Sequence, residues 1–273
     1  MVNTIINPVL RWPGSKWNIV DWIIQYIPPH VHYLEPFLGS GAVFFCKRPS
    51  RIETINDIDK NVVNLFKVIR NRPEELAEMI EMTPWARDEY YDSYEQTGDE
   101  LEDARRFLVR CWQAFGAKTS YRAGWRSDVR IPSNASRTKT WRTLPSRILA
   151  IVDRLRDAQI ENQPAAQIIK RFSSPEVLIY ADPPYLLSTR SQRQYKHEMD
   201  DKDHLELLDL LDAHPGPVLL SGYDCPLYSK RLIHWVKRTK TAVTERGKYR
   251  EEVLWINPVA ADLLGSFRLF KEL

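Results

Sequence analysis

The sequence predicts an α/β fold in which a parallel sheet is interrupted by a mostly helical, basic insertion. Strand and helix patterns alternate over the first seventy residues, and the alternation resumes from Val177. The stretch between them has almost no strand pattern and carries an uneven charge. Alternating strands and helices build parallel sheets. We therefore expect segments 1–70 and 165–273 to form one domain, with 71–164 as an insertion.

The N-terminal segment follows a helix-strand-helix order. Apolar residues at helical spacing predict its first helix, which Pro28 and Pro29 end. A glycine turn at 39–41 separates a strand from the next helix. The predicted elements are a helix over Lys16–Tyr26, a strand over His32–Glu35, a helix over Ala42–Cys46, a strand over Ile52–Ile55 and a helix over Asn61–Ile69.

The C-terminal segment continues the pattern with strands that are more strongly apolar. The predicted elements are a strand over Val177–Tyr180, a helix over Leu205–Leu211, a strand over Val218–Leu220 and a late strand over Glu252–Ile256. Alternation in the last of these favours an antiparallel hairpin. In the middle of the chain, Val129–Ile131 is the one strand candidate.

Composition excludes several classes of protein. The chain has 273 residues, of which 43% are hydrophobic and 27% charged, as in ordinary globular domains. No apolar run approaches the roughly 20 residues of a membrane span, and no signal-peptide pattern opens the chain. The three cysteines lack CxxC spacing and the six histidines lack metal-ligand spacing. We expect a cytoplasmic protein without a metal site.

Charge is divided sharply within the insertion. Residues 74–103 hold twelve acidic residues against one base, and residues 105–156 hold thirteen bases against two acids. A basic block of this kind is either a solvated face or the binding surface for a polyanion. Aromatic residues interleave with the bases, for example Trp112, Tyr121 and Trp125, which favours nucleic acid as the partner.

Two features at predicted strand ends indicate a cofactor site. Glu35–Gly41 follows a strand and opens a helix, where glycines let a ligand approach the backbone. Phe44 replaces the third glycine of the dinucleotide fingerprint, and no P-loop spacing follows. Asp57, beyond the second strand, can bind ribose hydroxyls. A structural turn and a helix N-cap are the competing interpretations; together the features favour an adenosine-bearing cofactor without a pyrophosphate.

Asp182–Tyr185 reads Asp-Pro-Pro-Tyr and directly follows a buried strand. The two prolines fix the backbone and leave a rigid carbonyl beside the carboxylate. The Asp182 carboxylate and the Pro183 carbonyl can accept two amine hydrogens while Tyr185 contacts a planar ring. The pattern therefore suits a base with an exocyclic amine, and a plain Asp-Pro-Pro turn is the alternative.

These motifs, in this order, resemble those of the Dam-type, D12-class (alpha group) DNA adenine-N6 methyltransferases. The likeness includes features of the phage and prophage branch and covers both ends of the chain. The motifs that carry it are Arg11–Lys16, Glu35–Gly41, Asn56-Asp57, Asp182–Tyr185, Ser221–Asp224 and Glu252–Pro258. The resemblance implies a Rossmann-like sheet that binds S-adenosylmethionine, with target recognition by the insertion.

The resemblance also implies a role for each matching residue. Lys16 would meet the methionine carboxylate of the cofactor, Asp57 would hold the ribose, and Asp182 would serve both cofactor and target. The cofactor-binding residues implied are Trp12, Pro13, Gly14, Lys16, Glu35, Pro36, Phe37, Gly39, Gly41, Asp57 and Asp182. The catalytic residues implied are Asp182, Pro183, Pro184 and Tyr185. Ser15 departs from a second glycine in many relatives, which puts backbone contacts at 14–15 in question.

DNA contacts are expected from two basic segments. In the insertion, Arg122, Arg126 and Arg130 recur every four residues and would contact either guanine edges or phosphates. The loop Ser188–His197 would close over the target base or contact flanking phosphates. The expected DNA-binding residues are Arg122, Arg126, Arg130, Arg137, Lys139, Arg190, Arg193, Tyr195 and Lys196.

The predicted function is site-specific transfer of a methyl group from S-adenosylmethionine to N6 of a flipped-out adenine in double-stranded DNA. One alternative keeps the fold and changes the acceptor to cytosine N4 in DNA or an amine in RNA. Another is a DNA-binding regulator without catalysis. We expect a monomer, and the sequence leaves open whether a restriction endonuclease accompanies it.

Overall fold

The computed structural model describes residues 7–115, 122–127, 136–190, 193–243 and 249–271. Within these ranges the chain forms one mixed sheet with helices on both faces. The strand candidate Val129–Ile131 and the predicted DNA contact Arg130 lie outside the described residues.

The sheet has seven strands within the described residues, in the order β3-β2-β1-β4-β5-β7-β6. Strands β1 to β5 run parallel, and β7 is antiparallel to both β5 and β6. The strands are β1 (His32–Glu35), β2 (Ile52–Asn56), β3 (Gln159–Glu161), β4 (Val177–Ala181), β5 (Val218–Gly222), β6 (Val236–Val243) and β7 (Tyr249–Ile256). The predicted Rossmann-like α/β fold and the C-terminal antiparallel hairpin are confirmed.

Nine helices precede β3 within the described residues. They are α1 (Val20–Ile24), α2 (Ala42–Cys46), α3 (Lys60–Asn71), α4 (Pro73–Met82), α5 (Arg87–Asp92), α6 (Glu100–Gln113), α7 (Arg137–Trp141), α8 (Leu144–Ala150) and α9 (Val152–Arg156). The helices after β3 are α10 (Ala165–Arg171), α11 (Asp201–Asp212), α12 (Pro226–Arg231) and α13 (Pro258–Lys271), and a short 3-10 turn covers Leu187–Thr189.

Strand side chains alternate between two cores. On β4, Leu178 and Tyr180 pack into the core that includes α3, whereas Val177, Ile179 and Ala181 pack into the core that includes α11. All five are buried, as expected of a parallel strand covered on both faces. The strongly apolar pattern at 177–181 therefore follows from burial on two sides.

Two predictions about element positions are wrong. The helix expected over Lys16–Tyr26 is confined to Val20–Ile24, because Lys16 is buried in contact with another element and the residues after it form turns. Strand β3 lies within the segment 71–164 that was expected to be an insertion, and it pairs with β2 at the sheet edge. Its short, half-buried sequence lacks the apolar alternation by which strands are detected.

The helical part of 71–164 packs directly against the sheet domain. Its residues share one apolar core with the strands, and Trp112 donates its indole N–H to the Val9 carbonyl at 2.8 Å. A buried ion cluster adds a polar connection, because Glu53 on β2 accepts from Lys47 and from Arg154 on α9. The helices of 71–164 therefore share a core with the sheet that carries the site.

Candidate active site

The site lies at the carboxyl edge of the sheet, where the order of the strands reverses. β1 and β4 are parallel neighbours, while the chain proceeds outward from β1 to β2 and from β4 to β5. Ligands of open α/β sheets bind at such switch points. Glu35 ends β1 and Asp182 follows β4. The fold therefore brings together two acids that are 147 positions apart in the chain.

A small cavity of about 30 Å³ lies between these two strand ends and the N-terminal segment. Eight residues predicted to bind the cofactor line it: Trp12, Pro13, Gly14, Lys16, Glu35, Phe37, Gly39 and Asp182. Three other predicted residues, Pro36, Gly41 and Asp57, are not among its lining residues. Leu38, which lies within the predicted Glu35–Gly41 motif, also lines it, as does Tyr180, to which the sequence analysis gave no role.

The Asp182 carboxylate has two oxygens in different environments. Oδ2 lies 2.8 Å from Nζ of Lys16, which also donates to the Gly14 carbonyl at 2.7 Å. Oδ1 is buried, and no described residue forms a hydrogen bond with it. Burial raises the pKa of Asp182, and the Lys16 charge opposes that rise. One oxygen is thus held by a cation while the other can accept a donor from a ligand.

Lys16 is itself only 4% exposed. Burial disfavours its charge, but the carboxylates of Asp182 and Glu252 outweigh that effect, so that its pKa is raised above the ordinary value. Its ammonium also lies 4.8 Å from the centroid of the Tyr185 ring. Contact with a cofactor carboxylate, which the resemblance implies for Lys16, remains a prediction; in this structure its partner is Asp182.

Glu35 is 2% exposed and accepts a hydrogen bond of 2.6 Å from the Tyr33 hydroxyl. Burial raises the pKa of Glu35 to about 8, with a further contribution from the charge of Asp182. The cavity thus contains an acid that is largely protonated near neutral pH. A cationic ligand group next to Glu35 would favour its ionised form.

Asp57 holds the glycine turn in place. Its Oδ2 accepts from the Gly39 N–H at 2.8 Å and its Oδ1 accepts from the Asp59 N–H at 2.9 Å. Asp59, rather than Asp57, is the N-cap of α3. Asn56 donates to the Pro36 carbonyl from the same strand end. The ribose contact expected of Asp57 remains a prediction, since these two bonds leave further acceptor sites on the carboxylate.

Trp12 packs against the backbone of Gly39. A β-carbon at Gly39 would lie 2.7 Å from the indole, and the residue has a φ of 49°, so glycine is required here for two reasons. Ser15 shares a hydrogen bond of 2.8 Å with Ser40. The serine therefore connects the N-terminal segment to the glycine turn.

Tyr185 is buried with its hydroxyl engaged. The hydroxyl donates to Oε2 of Glu252 at 2.8 Å, and the ring meets Tyr223 edge-on at 4.5 Å between centroids. Pro183 is buried beside Asp182. The Asp-Pro-Pro-Tyr segment is thus a fixed element of the site, connected to β5 and β7 through the aromatic rings and Glu252.

The segment that follows Tyr185 folds back over the cavity. Tyr195 donates to the Pro13 carbonyl at 3.0 Å and lines the cavity. Arg190, whose side chain is 5% exposed, pairs with Glu198 and donates to the Tyr185 carbonyl at 2.6 Å. The DNA contacts expected of Arg190 and Tyr195 stay predictions; in this structure both side chains bind other parts of the protein. Arg193 and Lys196 are exposed beside them.

The predicted DNA contacts of the insertion are separate from the cavity. Arg122 is exposed, with its guanidinium 4.1 Å from the centroid of the Tyr91 ring. Arg126 has a buried Nη1 to which no described residue is hydrogen-bonded. Arg137 donates to the Ser127 carbonyl and Lys139 is exposed on α7. The structure thus places these bases on the insertion but does not assign contacts with bases or phosphates.

Sequence reasoning missed Glu252, Tyr223 and Glu198 as members of the site. The first two lie within motifs that carried the resemblance, but neither was given a role. What identifies these residues is their position next to the site in the folded protein, and a single sequence does not show which distant segments become neighbours. Within the described ranges, no cluster of three His, Cys, Asp or Glu side chains could hold a metal ion. No described helix has both the length and the apolar character of a membrane span.

Comparison with known proteins agrees with the motifs. Residues 12–245 match the family described as D12 class N6 adenine-specific DNA methyltransferase. The chain is 27% identical to the type II methyltransferase M1.LlaDCHI of Lactococcus lactis subsp. cremoris, with 91% of this chain and 95% of that protein covered. It is 24% identical to the DNA adenine methylase of Escherichia coli K12, with 89% and 91% covered. The DNA N-6-adenine-methyltransferase of Escherichia phage P1 is 24% identical over 80% of this chain and 30% of that protein.

Proposed function

The chain belongs to the D12 class of N6 adenine-specific DNA methyltransferases, and we propose that Asp182 binds the target amine while the adjoining cavity binds S-adenosylmethionine. The observation that carries this proposal is the buried Oδ1 of Asp182, to which no described residue is hydrogen-bonded. A buried acceptor without a partner is costly. An adenine amine would satisfy it.

The residues around the cavity fit the proposed cofactor. Its amino acid part carries an ammonium group, for which the buried Glu35 is a suitable partner. Its adenine and ribose need an aromatic surface and a hydroxyl acceptor, which Trp12 and Asp57 can supply. Gly39 lets the Trp12 indole lie against the backbone beside the cavity, at a point where a β-carbon would clash with it. When bound, S-adenosylmethionine supplies an electrophilic methyl group.

The target nitrogen is a poor nucleophile because its lone pair is delocalised into the adenine ring. Hydrogen bonds from its two N–H groups to Asp182 and to the Pro183 carbonyl would favour a pyramidal nitrogen. The lone pair of that nitrogen would then point towards the methyl donor. Catalysis then rests on orientation and fixed charges. Lys16 covers Oδ2 of Asp182, so that this side of the carboxylate is shielded from water.

The cavity is too small for the cofactor in this conformation. Its volume of about 30 Å³ suffices for a water molecule. Tyr195 closes one side through its bond to the Pro13 carbonyl. We propose that Tyr195 gives up this bond when the cofactor enters and re-forms it over the bound cofactor, as residues of active-site lids do.

Double-stranded DNA is the proposed substrate, bound by a monomeric, cytoplasmic protein. An amine inside a duplex cannot reach the carboxyl edge of the sheet, so the target nucleotide must be flipped out. The proposed DNA-contacting side chains are exposed bases, Arg122, Lys139, Arg193 and Lys196, together with Arg126, Arg130 and Arg137 of the insertion. The basic balance of 105–156 supports this assignment.

The test is sequencing that detects modified bases in DNA from methylase-free cells that express this chain. Asp182→Ala is the inactive comparison, and Asp262→Ala, which removes an exposed acid of α13, is the matched control. We expect N6-methyladenine in one short sequence motif with the wild type and the control. Unmodified DNA despite folded wild-type protein, or an unchanged pattern with Asp182→Ala, would contradict the proposal.

A further inference from the structure

Glu252 reaches the active site from a strand outside the parallel part of the sheet. In the pairing of β5 with β7, Gly222 is opposite Val253, so Glu252 lies one residue beyond the end of β5. This position is at the same carboxyl edge as Asp182. Because β7 is antiparallel to β5, a residue near the start of β7, Glu252, lies beside the carboxyl end of β5.

The hydrogen bond from Tyr185 is well placed to fix the orientation of the ring. Tyr185 is 8% exposed, and its hydroxyl lies 2.8 Å from Oε2 of Glu252. Burial and the neighbouring carboxylates raise the pKa of Tyr185 well above its ordinary value, so the phenol remains a donor. Lys16 and Tyr223 contact the ring itself. A rotation of the ring would break the bond to Glu252.

The orientation of the Tyr185 ring matters because Tyr185 is only a few residues from the two groups proposed to accept hydrogen bonds from the target amine. It is three residues after Asp182 and two after Pro183, in a segment stiffened by two prolines. A base held by Asp182 and Pro183 would have its plane set by the aromatic surface beside it. An error of about 1 Å in such a placement can cost about 100-fold in rate.

We propose that Glu252 is a positioning residue, which acts on the methyl transfer through its hydrogen bond to Tyr185 and without contacting the reacting atoms. The proposal rests on the proposed function, in which Asp182 and Tyr185 hold the target adenine. It assigns Glu252 the role of an acceptor. It does not require Glu252 to receive the proton that leaves the amine.

The experiment measures the single-turnover rate of methyl transfer to a duplex that contains the recognition sequence found by sequencing. The variants are Glu252→Ala, Tyr185→Phe, the double variant and Glu252→Gln. Glu251→Ala removes the exposed neighbouring acid of the same strand and serves as the matched control. Thermal unfolding and the affinity for S-adenosylmethionine are measured for each variant.

We expect Glu252→Ala and Tyr185→Phe each to slow transfer by about 10-fold to about 100-fold. Their effects should not add in the double variant, because both remove the same bond. Glu252→Gln keeps an acceptor and should stay within about threefold of the wild type, as should Glu251→Ala. The affinity for S-adenosylmethionine should change by less than about threefold throughout, because neither Glu252 nor Tyr185 lines the cofactor cavity.

Additive effects would overturn the proposal, as would a Glu252→Gln rate as low as that of Glu252→Ala, which would indicate proton acceptance. If Glu252→Ala does not fold, the comparison of Tyr185→Phe with Glu252→Gln decides the question, since a wild-type rate for Tyr185→Phe excludes a role for the bond. Absence of adenine methylation by the wild type would instead contradict the proposed function.

Discussion

Nζ of Lys16 lies 2.8 Å from Oδ2 of Asp182. The other carboxylate oxygen, Oδ1, is buried and has no hydrogen-bond partner among the described residues. The pair joins the N-terminal segment to the end of β4 across 166 positions of sequence. It keeps a carboxylate charged in a buried place and leaves one of its oxygens for a ligand.

Replacement of Lys16 by Met should shift the pH dependence of methyl transfer. In the proposed function the transfer needs ionised Asp182, whose pKa is raised by burial and lowered by Lys16. Without the lysine that pKa rises, so activity is lost at a higher pH as the solution is acidified. The measurement is the single-turnover rate from pH 5 to pH 9. An acidic limb at the same pH in the variant and the wild type would contradict this role of Lys16.

Binding of S-adenosylmethionine should release a proton from Glu35. The pKa of Glu35 is raised to about 8 in the absence of a ligand, and an ammonium group beside it would lower that pKa. Linkage then requires affinity to increase as the pH rises from 6 towards 8. Calorimetry in buffers of different ionisation enthalpy measures the number of protons released when the cofactor binds. Glu35→Gln should release fewer protons, and an equal release by both proteins would exclude Glu35.

Glu53→Ala should lower the free energy of unfolding by about 3 to 5 kcal/mol. Glu53 is 2% exposed and accepts from both Lys47 and Arg154, so its removal leaves two buried cations without their carboxylate. Urea denaturation measures the change. Glu161→Ala breaks the more exposed pair with Arg171 and should cost less than about 1 kcal/mol. Similar losses for the two variants would contradict this account of the cluster.

Arg190→Ala should weaken the affinity for S-adenosylmethionine and leave the salt dependence of DNA binding unchanged. The side chain holds Glu198 and the Tyr185 carbonyl, and Glu198 accepts from the Tyr195 N–H. Loss of these charge-assisted bonds should cost about 10-fold in cofactor affinity. Titration of each ligand separates the two effects. A reduced salt slope for DNA with normal cofactor binding would restore the phosphate contact first expected of Arg190.

Lys139→Ala should reduce the slope of log DNA affinity against log salt concentration by about 1, as the loss of one phosphate contact does. The residue is exposed within the basic block of the insertion. Lys170→Ala, which removes an exposed base of α10 paired with Glu206, is the control and should leave the slope unchanged. Equal slopes for Lys139→Ala and the wild type would remove Lys139 from the interface.

Local patterns were sufficient for four of the five parallel strands and for Glu35 and Asp182 at the edge of the sheet. The apolar run at 177–181 predicted β4, and its end fixed the place of Asp182. Strand β3 was missed because its three residues at the sheet edge are not strongly apolar. The glycine turn was predicted, but the hydrogen bond from the Gly39 N–H to Asp57, which holds the turn in place, was not.

The interactions that organise the site join distant parts of the chain. Lys16 meets Asp182, Tyr185 meets Glu252, and Tyr195 meets Pro13. Each needs a pair of loops or strand ends that only the folded sheet brings together. The burial of the Arg190 side chain was not predicted for the same reason, since it depends on the pair with Glu198 eight positions later.

The most direct test is mass analysis of nucleosides from a defined duplex treated with purified protein and S-adenosylmethionine, with Asp182→Asn in parallel. Asparagine keeps the shape of the side chain and removes its charge. The account predicts N6-methyldeoxyadenosine from the wild type and a loss of at least about 100-fold in the variant. Methylated deoxycytidine from the wild type, or equal amounts of N6-methyldeoxyadenosine from both proteins, would contradict the account.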